Sequence, residues 1–337
     1  MTFIDLFSGI GGFRIGMEQA GHVCIGRCEI NKFANQAYNA IHKPKENEWF
    51  ERDITRVRSS DVPAADCWCF GFPCQDISIS GRQRGMGGER SSLFFRVTQL
   101  IRDTKTENRP SYLFIENVKN LLSVNRGYDF LAVLAELDEI GYNAEWDVLD
   151  TADFGLPQHR ERVFIIGHFR GRSTGQVFPV RRTSEKHALR GKINCIGNIL
   201  PPRKKIDRPQ SGKIYNSDGI SPTLLSGDHG HIIKIMDLGD RKTLFGDKQV
   251  GRVYSGDGIS PTLRCVNGGG NEVKILRSGR IRKLTPKEYW RLQGFSDEHY
   301  EQAKSTGLSD TQLYNQAGNS VSVPVIAAIA ERMKIEK

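Results

Sequence analysis

Three segments carry side chains whose types and spacing suit covalent chemistry. In "GFPCQDISIS", Gly71 to Ser80, Cys74 stands directly behind Pro73 and ahead of a glycine-rich basic run, "GRQRGMGGER". A free cysteine is most often a small buried residue. Here Pro73 stiffens the backbone on one side, and Gly81, Gly85, Gly87 and Gly88 read as a movable loop on the other. A thiol so placed could be a nucleophile, provided it is reachable and readily ionised. Glu116 lies near the end of the apolar run "SYLFIENV", and Arg160 and Arg162 lie in "QHRERV". A thiolate, a carboxyl able to donate or share a proton and one or two guanidiniums could together add a nucleophile to a planar, electron-poor ring. Each also has an ordinary structural explanation. Glu116 could be a helix-start carboxylate, and the arginines could form surface ion pairs with Glu161 or a neighbour.

These groups converge only if the elements carrying them are neighbours. The first half of the chain alternates between apolar runs of strand length and amphipathic helical segments. "TFIDLF" predicts a strand, "GFRIGMEQAG" a helix, "HVCIGRCEI" a strand and "KFANQAYNAI" a helix. "DCWCFGF" predicts a strand ending before Pro73, "SSLFFRVTQLIRDT" a helix and "SYLFIENV" a strand ending at Glu116. "YDFLAVLAELDEIG" then predicts a helix and "RVFIIGHF" a late strand. Such alternation implies an α/β fold: a mostly parallel sheet with helices on both faces, binding ligands at the carboxyl ends of its strands. After the first strand, "DLFSGIGGFR" offers Gly9, Gly11 and Gly12, where backbone can approach a ligand. The sixth position of a dinucleotide fingerprint counted from Gly9 is Arg14 rather than glycine, which disfavours a nicotinamide cofactor. Glu29 closes the second strand where an acid can meet ribose hydroxyls, and Asp53 follows the next apolar segment, where it could accept from an adenine amino group. An adenosine-bearing cofactor without a pyrophosphate satisfies all three, although either acid alone could equally be a cap or a solvated loop carboxylate.

The chain has 337 residues, ordinary globular composition and a net charge of +9. Residues 1–170 carry −3, residues 171–290 carry +13 and residues 291–337 carry −1. A cationic segment inside an otherwise near-neutral protein suits a polyanion, or is simply a solvated basic face. Within it, Gln210 to Leu224, "QSGKIYNSDGISPTL", matches Gln249 to Leu263, "QVGRVYSGDGISPTL", at ten of fifteen positions. Each copy could be a strand-and-loop unit, used for recognition or only as scaffold. The surrounding short Gly-, Pro- and Arg-rich pieces suggest a second, irregular β domain from about residue 171. "TPKEYWRLQGF" begins like a helix at Thr285-Pro286, and "GNSVSVPVIAAIAERM" ends the chain with another apolar helix. Seven cysteines without Cys-x-x-Cys pairs argue against a disulfide framework and against zinc. The N-terminus lacks the features of a signal peptide and no run reaches membrane-spanning length, so a cytoplasmic protein is expected.

The segments "DLFSGIGGFR", "GFPCQDISISGRQRG", "ENVKN", "QHRERV", "RKLTPKEYWRLQGF" and "GNSV" occur in an order and at intervals in which the chain resembles the DNA cytosine-5 methyltransferases of bacterial restriction-modification systems. The resemblance covers most of residues 1–170 and 280–325. It implies a Rossmann-like, S-adenosylmethionine-dependent methyltransferase domain formed by 1–170 plus 300–337, with a smaller, irregular β-rich target-recognition domain in 171–299. It further implies that Cys74 adds to C6 of a flipped-out cytosine in a short double-stranded DNA site, with Glu116 at N3. Arg162, and Arg160 beside it, would hold the base carbonyl and orient Glu116. The cofactor would lie against Phe7, Gly9, Ile10 and Gly11, with Glu29 on ribose, Asp53 and Ile54 at adenine, Pro73 beside the reacting carbon, and Asn319 and Val321 closing the pocket. DNA contacts would come from Ser80, Gln249, Arg252 and Thr262. A monomer acting alongside a cognate restriction endonuclease is expected. Competing readings are a tRNA cytosine-5 methyltransferase built on the same motifs, a catalytically inactive DNA-binding homologue and a nicotinamide-dependent oxidoreductase.

Overall fold

The fold is taken from a computed structural model, which describes residues 1–72, 92–180, 195–198, 213–215, 232–233, 253–255, 263, 274–277 and 280–335. The chain divides into two compact units. One comprises 1–150, 161–181 and 320–337, and the other comprises 151–160 and 182–319.

The first unit holds β1 (Thr2–Leu6), α1 (Gly12–Gln19), β2 (Val23–Cys28), α2 (Lys32–His42), β3 (Trp49–Glu51), β4 (Cys67–Gly71), α3 (Ser92–Asp103), β5 (Tyr112–Val118), α4 (Tyr128–Glu139), β6 (Tyr142–Asp150) and β7 (Glu161–Phe169). The strands form a seven-stranded sheet in the order β3-β2-β1-β4-β5-β7-β6. From β3 to β5 every pairing is parallel, whereas β7 runs antiparallel to both β5 and β6. The order reverses between β1 and β4, since the chain winds outward through β2 and β3 and then returns to lay β4 and β5 on the other side. That reversal is where doubly wound sheets open a crevice at their carboxyl ends.

Burial follows the alternation of side chains along each strand. Ile4, Leu6, Trp68, Phe70, Leu113, Ile115, Val163 and Ile165 share one buried cluster with Phe94, Val97 and Ile101 of α3 and Val133 and Leu137 of α4. Phe3 and Phe114 are also fully buried, and Phe114 meets Phe13 of α1 edge-on at 5.1 Å between ring centroids. Apolar cover on both faces is why these strands read as continuous hydrophobic runs.

In the second unit β8 (Cys195–Asn198) pairs antiparallel with β9 (Lys213–Tyr215), which pairs parallel with β10 (Ile232–Ile233). A second small sheet has β11 (Val253–Ser255) parallel to β12 (Lys274–Arg277), which is antiparallel to β13 (Arg280–Lys283). Each copy of the repeat therefore contributes one strand, β9 from the first and β11 from the second, and in each case that strand runs parallel to the next. Helices α5 (Pro286–Leu292), α6 (Asp297–Ser305) and α7 (Asp310–Asn319) follow. The helix predicted at Thr285-Pro286 forms with a full capping box: the Thr285 side chain accepts from the Glu288 N–H, the Glu288 side chain accepts from the Thr285 N–H, and Pro286 opens the first turn.

The last helix, α8 (Val323–Ala330), belongs again to the first unit and packs on α1. Contact is backbone-close because α1 presents glycines. A Cβ on Gly16 would lie 2.6 Å from the Ile326 side chain, and one on Gly12 would lie 2.6 Å from Ser320 Oγ and 2.8 Å from Val321 Cγ2. Among the described residues no helix is long and apolar enough to cross a membrane.

Candidate active site

The carboxyl end of β5 sets an acid–guanidinium pair. Glu116 lies opposite Gly71 of β4, and Val118, two residues on and so on the same face, lies opposite Arg162 of β7. Arg162 is thus the diagonal neighbour of Glu116, and its Nε lies 3.0 Å from Glu116 Oε1. Both side chains are largely but not wholly buried, at 15% and 13% exposure. The other carboxylate oxygen, Oε2, lies 3.2 Å from where a Cβ would stand on Gly71, so the glycine leaves it room. One residue past Glu116, the Asn117 side chain donates to the Phe72 carbonyl at 2.8 Å, tying β5 to the segment that leads out of β4. Pro73, Cys74 and Ser80 lie outside the described residues.

Buried cysteines elsewhere differ sharply from a reactive thiol. Burial pushes Cys24 and Cys28 up to about 12, and Cys69 is raised well above the usual thiol value for the same reason. These three remain neutral thiols and are packing residues.

Arg160 belongs to the second unit, and its guanidinium is engaged there: Nη1 donates to the Leu263 carbonyl and Nη2 to the Gly318 carbonyl, each at 3.3 Å. The neighbouring Gln158 binds the same segments, accepting from the Leu263 N–H at 3.1 Å and donating to the Leu292 carbonyl at 2.8 Å. Leu263 closes the second repeat copy, so Gln158 and Arg160 tie that residue to the ends of α5 and α7. Gln249, Arg252 and Thr262 lie outside the described residues.

The turn after β1 forms the second half of the site. Phe7, Gly9 and Gly11 all take positive φ, at 59°, 55° and 84°, and the Gly11 N–H donates to the Ser8 carbonyl at 2.8 Å. Glu29, just past β2, is buried at 9% exposure; its Oε2 accepts from the Gly9 N–H at 2.8 Å and its Oε1 from the Asn31 N–H at 2.7 Å. Each carboxylate oxygen keeps a second lone pair, enough to accept a vicinal diol. Asp53 is less buried. Hydrogen bonds from the Thr55 hydroxyl and then the Thr55 N–H hold its carboxyl below the usual range, while Ile54 beside it is buried in the core. Among the described residues no atom lies within 4 Å of where a Cβ would project from Gly9, and the buried Ser8 Oγ has no hydrogen-bond partner. An open cradle beside a buried acid and an unsatisfied hydroxyl fits a nucleoside. Val321 packs against Gly12 at the start of α1, while Asn319 ends α7 with its side chain exposed.

Asp5 leaves little mark in the sequence because it lies inside the apolar run "TFIDLF". It is fully buried on β1, between Arg27 of β2 and Cys69 of β4, and neither carboxylate oxygen makes a well-formed hydrogen bond. Burial, then the nearby charge of Glu29, pushes it up to about 8, against the pull of Arg14 and Arg27. A charged residue inside a strand buried on both faces is the signal that marks it.

Comparison with known proteins identifies the family. Residues 1–335 match the family model for C-5 cytosine-specific DNA methylases. The chain is 34% identical to the type II methyltransferase M.NlaX of Neisseria lactamica, across 98% of this chain and 95% of that protein. It is 33% identical to the type II methyltransferase M.HhaI of Haemophilus parahaemolyticus, across 98% and 93%. In fold it is similar to the crystal structure of S. pombe Dnmt2 methyltransferase, with a TM-score of 0.66 at 19% identity over 97% of this chain and 96% of that one. With a family match along nearly the whole chain, and with an acid–guanidinium pair and a glycine turn at the carboxyl ends of the strands, the chain belongs to the C-5 cytosine-specific DNA methylases and is a DNA cytosine-5 methyltransferase.

Proposed function

We propose that the chain methylates C5 of a cytosine turned out of a short, specific duplex DNA sequence, through a transient bond between Cys74 Sγ and C6 of the base. The observation that carries this reading is the Glu116–Arg162 pair at the end of β5, with Glu116 Oε2 toward Gly71 and the chain running from Gly71 to Cys74 in three residues. A cytosine must leave the stack for a side chain to reach its ring. Arg162 occupies one oxygen of Glu116 and so leaves the other to meet the N3 edge. As the thiolate adds to C6, Glu116 gives N3 a proton, and the electron pair that would otherwise charge the ring is directed to C5. Phe7, Gly9, Ile10 and Gly11 would hold S-adenosylmethionine, with Glu29 at its ribose and Asp53 and Ile54 at its adenine, and when bound it would supply the electrophilic methyl that C5 takes, leaving as the neutral thioether. Pro73, Asn319 and Val321 complete that pocket. Loss of the C5 proton, expulsion of the Cys74 thiolate and return of the N3 proton to Glu116 restore the ring's C5–C6 double bond. Arg160 anchors Leu263, the end of the second repeat copy, and Arg162 has the base-side role.

Residues 1–170 with 300–337 serve catalysis and cofactor binding, and the basic segment 171–299 reads the DNA. Ser80, Gln249, Arg252 and Thr262 contact the duplex, with the chain acting as a monomer alongside a cognate endonuclease. The experiment is bisulfite sequencing of DNA from cells expressing the protein, paired with tritiated methyl transfer to duplex DNA and to tRNA. The expected result is protection of one cytosine in a short recurring sequence, with label in DNA. Label confined to tRNA, or no label in either, would overturn the reading.

A further inference from the structure

We infer that His42 is a positioning residue for the cofactor turn, holding Ile10 and Gly11 in register with Glu29; this rests on the reading of that turn as the S-adenosylmethionine site. His42 ends α2, and its Nε2 lies 2.9 Å from the Ile10 carbonyl oxygen. A carbonyl only accepts, so Nε2 carries the proton. The imidazole reaches this place because Gly11 has no side chain: a Cβ there would stand 2.1 Å from His42 Nε2. On its other side the ring packs against the fully buried Tyr38, at 4.3 Å between centroids, which fixes its plane.

The same helix holds the other half of the pocket at its opposite end. Asn31, its N-cap, donates its backbone N–H to Glu29 Oε1 at 2.7 Å, and the Asn35 side chain donates to the Glu29 carbonyl at 2.7 Å. An 11-residue helix, about 16 Å long, is therefore pinned to Glu29 at its start and to Ile10 at its end. Glu29 in turn accepts from the Gly9 N–H at 2.8 Å, which closes a ring of contacts from Gly9 through Glu29, α2 and His42 back to Ile10. The turn contains three positive-φ residues and no side-chain cap at the N-terminus of α1, so local sequence alone does little to fix it. The His42 contact supplies a constraint from outside the turn.

The test compares S-adenosylmethionine affinity, by isothermal titration calorimetry on the full chain, for wild type, His42→Leu, His42→Gln and Glu29→Ala. Leu keeps apolar volume and loses the donor, whereas Gln places an amide N–H near the Nε2 position. His42→Leu is expected to raise Kd by about 5-fold, the size of one lost hydrogen bond, and His42→Gln to stay within about 2-fold of wild type. Wild-type affinity in His42→Leu, or Gln as weak as Leu, would overturn the inference. Glu29→Ala separates the two levels. If it weakens binding while His42→Leu does not, only the role of His42 falls; if neither weakens binding, the reading of the pocket falls as well. Ring nitrogen NMR on the wild-type chain, with the His42 signal assigned by its loss in His42→Gln, gives a measure that needs no folded Leu variant. The proton is expected on Nε2, with a shift change on adding S-adenosylmethionine; a proton on Nδ1 alone, or no change on addition, counts against the inference.

Discussion

Replacing Asp5 by Asn should change how the stability of the first unit depends on pH. In the folded chain, burial and Glu29 raise the Asp5 carboxyl from 3.8 to about 8, so at neutral pH it is protonated when folded and ionised when unfolded. The sign follows from proton counts. Between about pH 4 and pH 8 the folded state binds one more proton than the unfolded state, so stability falls as pH rises through that window and levels off above it. Each pH unit is worth about 1.4 kcal/mol, which makes the ceiling at pH 7 about 4 kcal/mol relative to pH 4. Asn carries no charge in either state and removes this dependence. The difference in stability, Asp5→Asn minus wild type, should therefore rise by about 1.4 kcal/mol per pH unit across the window, whatever fixed offset the amide introduces. Urea unfolding at pH 5, 6, 7 and 8, followed by tryptophan fluorescence, is a suitable assay, because Trp49, Trp68 and Trp146 all lie in the unit that holds Asp5. Parallel curves for the two proteins would show that Asp5 is already ionised in the fold, compensated by Arg14 and Arg27, and would refute the argument.

Cys74→Ser should abolish turnover while leaving S-adenosylmethionine affinity nearly intact, and duplex DNA with 5-fluorocytosine at the target should cross-link to the wild type alone; a linked peptide lacking Cys74 would remove the assignment. Glu116→Gln should slow single-turnover methylation by at least about 100-fold with little change in DNA affinity, because its proton is needed only on attack; a variant that loses affinity but not rate would make Glu116 structural. Gly71→Ala places a Cβ about where Glu116 Oε2 now has 3.2 Å of clearance, so it should lower the rate with cofactor Kd unchanged. Arg252→Ala should cost about 1 to 3 kcal/mol at the cognate site and relax one base position, while Lys213→Ala should weaken all sequences alike with a shallower salt dependence; competition binding at two salt concentrations checks both.

Much of the first unit was legible because its parallel strands are buried on both faces and read as unbroken apolar runs. Two strands lack that signature. β3 is only Trp49–Glu51, with two of three residues exposed, and β6, "YNAEWDVLD", buries only Tyr142 and Leu149 because it is the sheet's outer edge. The late strand "RVFIIGHF" was legible as a strand, but its reversed direction was not, since direction depends on pairing rather than on composition. That reversal is what brings Arg162, at the start of β7, beside Glu116 near the end of β5. Glu29 was legible from its place after β2. Its partners Gly9 and Asn31 were not, because a backbone N–H leaves no mark in the sequence. The repeat was plain at the level of residues, and its strands β9 and β11 fall inside the two copies.

The seating of α8 on α1 bears on how the protein is made. The α1 face that carries Gly12 and Gly16 is covered by residues 320–327, some three hundred positions later in the chain. At ribosomal speeds of about 5 to 20 residues per second, that face waits about 15 to 60 s for its partner. During that time the first βαβ turns can pair, but Gly12 and Gly16 of α1 lack the Ser320, Val321 and Ile326 side chains that lie over them in the finished fold. Synthesis, rather than local folding, therefore sets when α1 gains this cover.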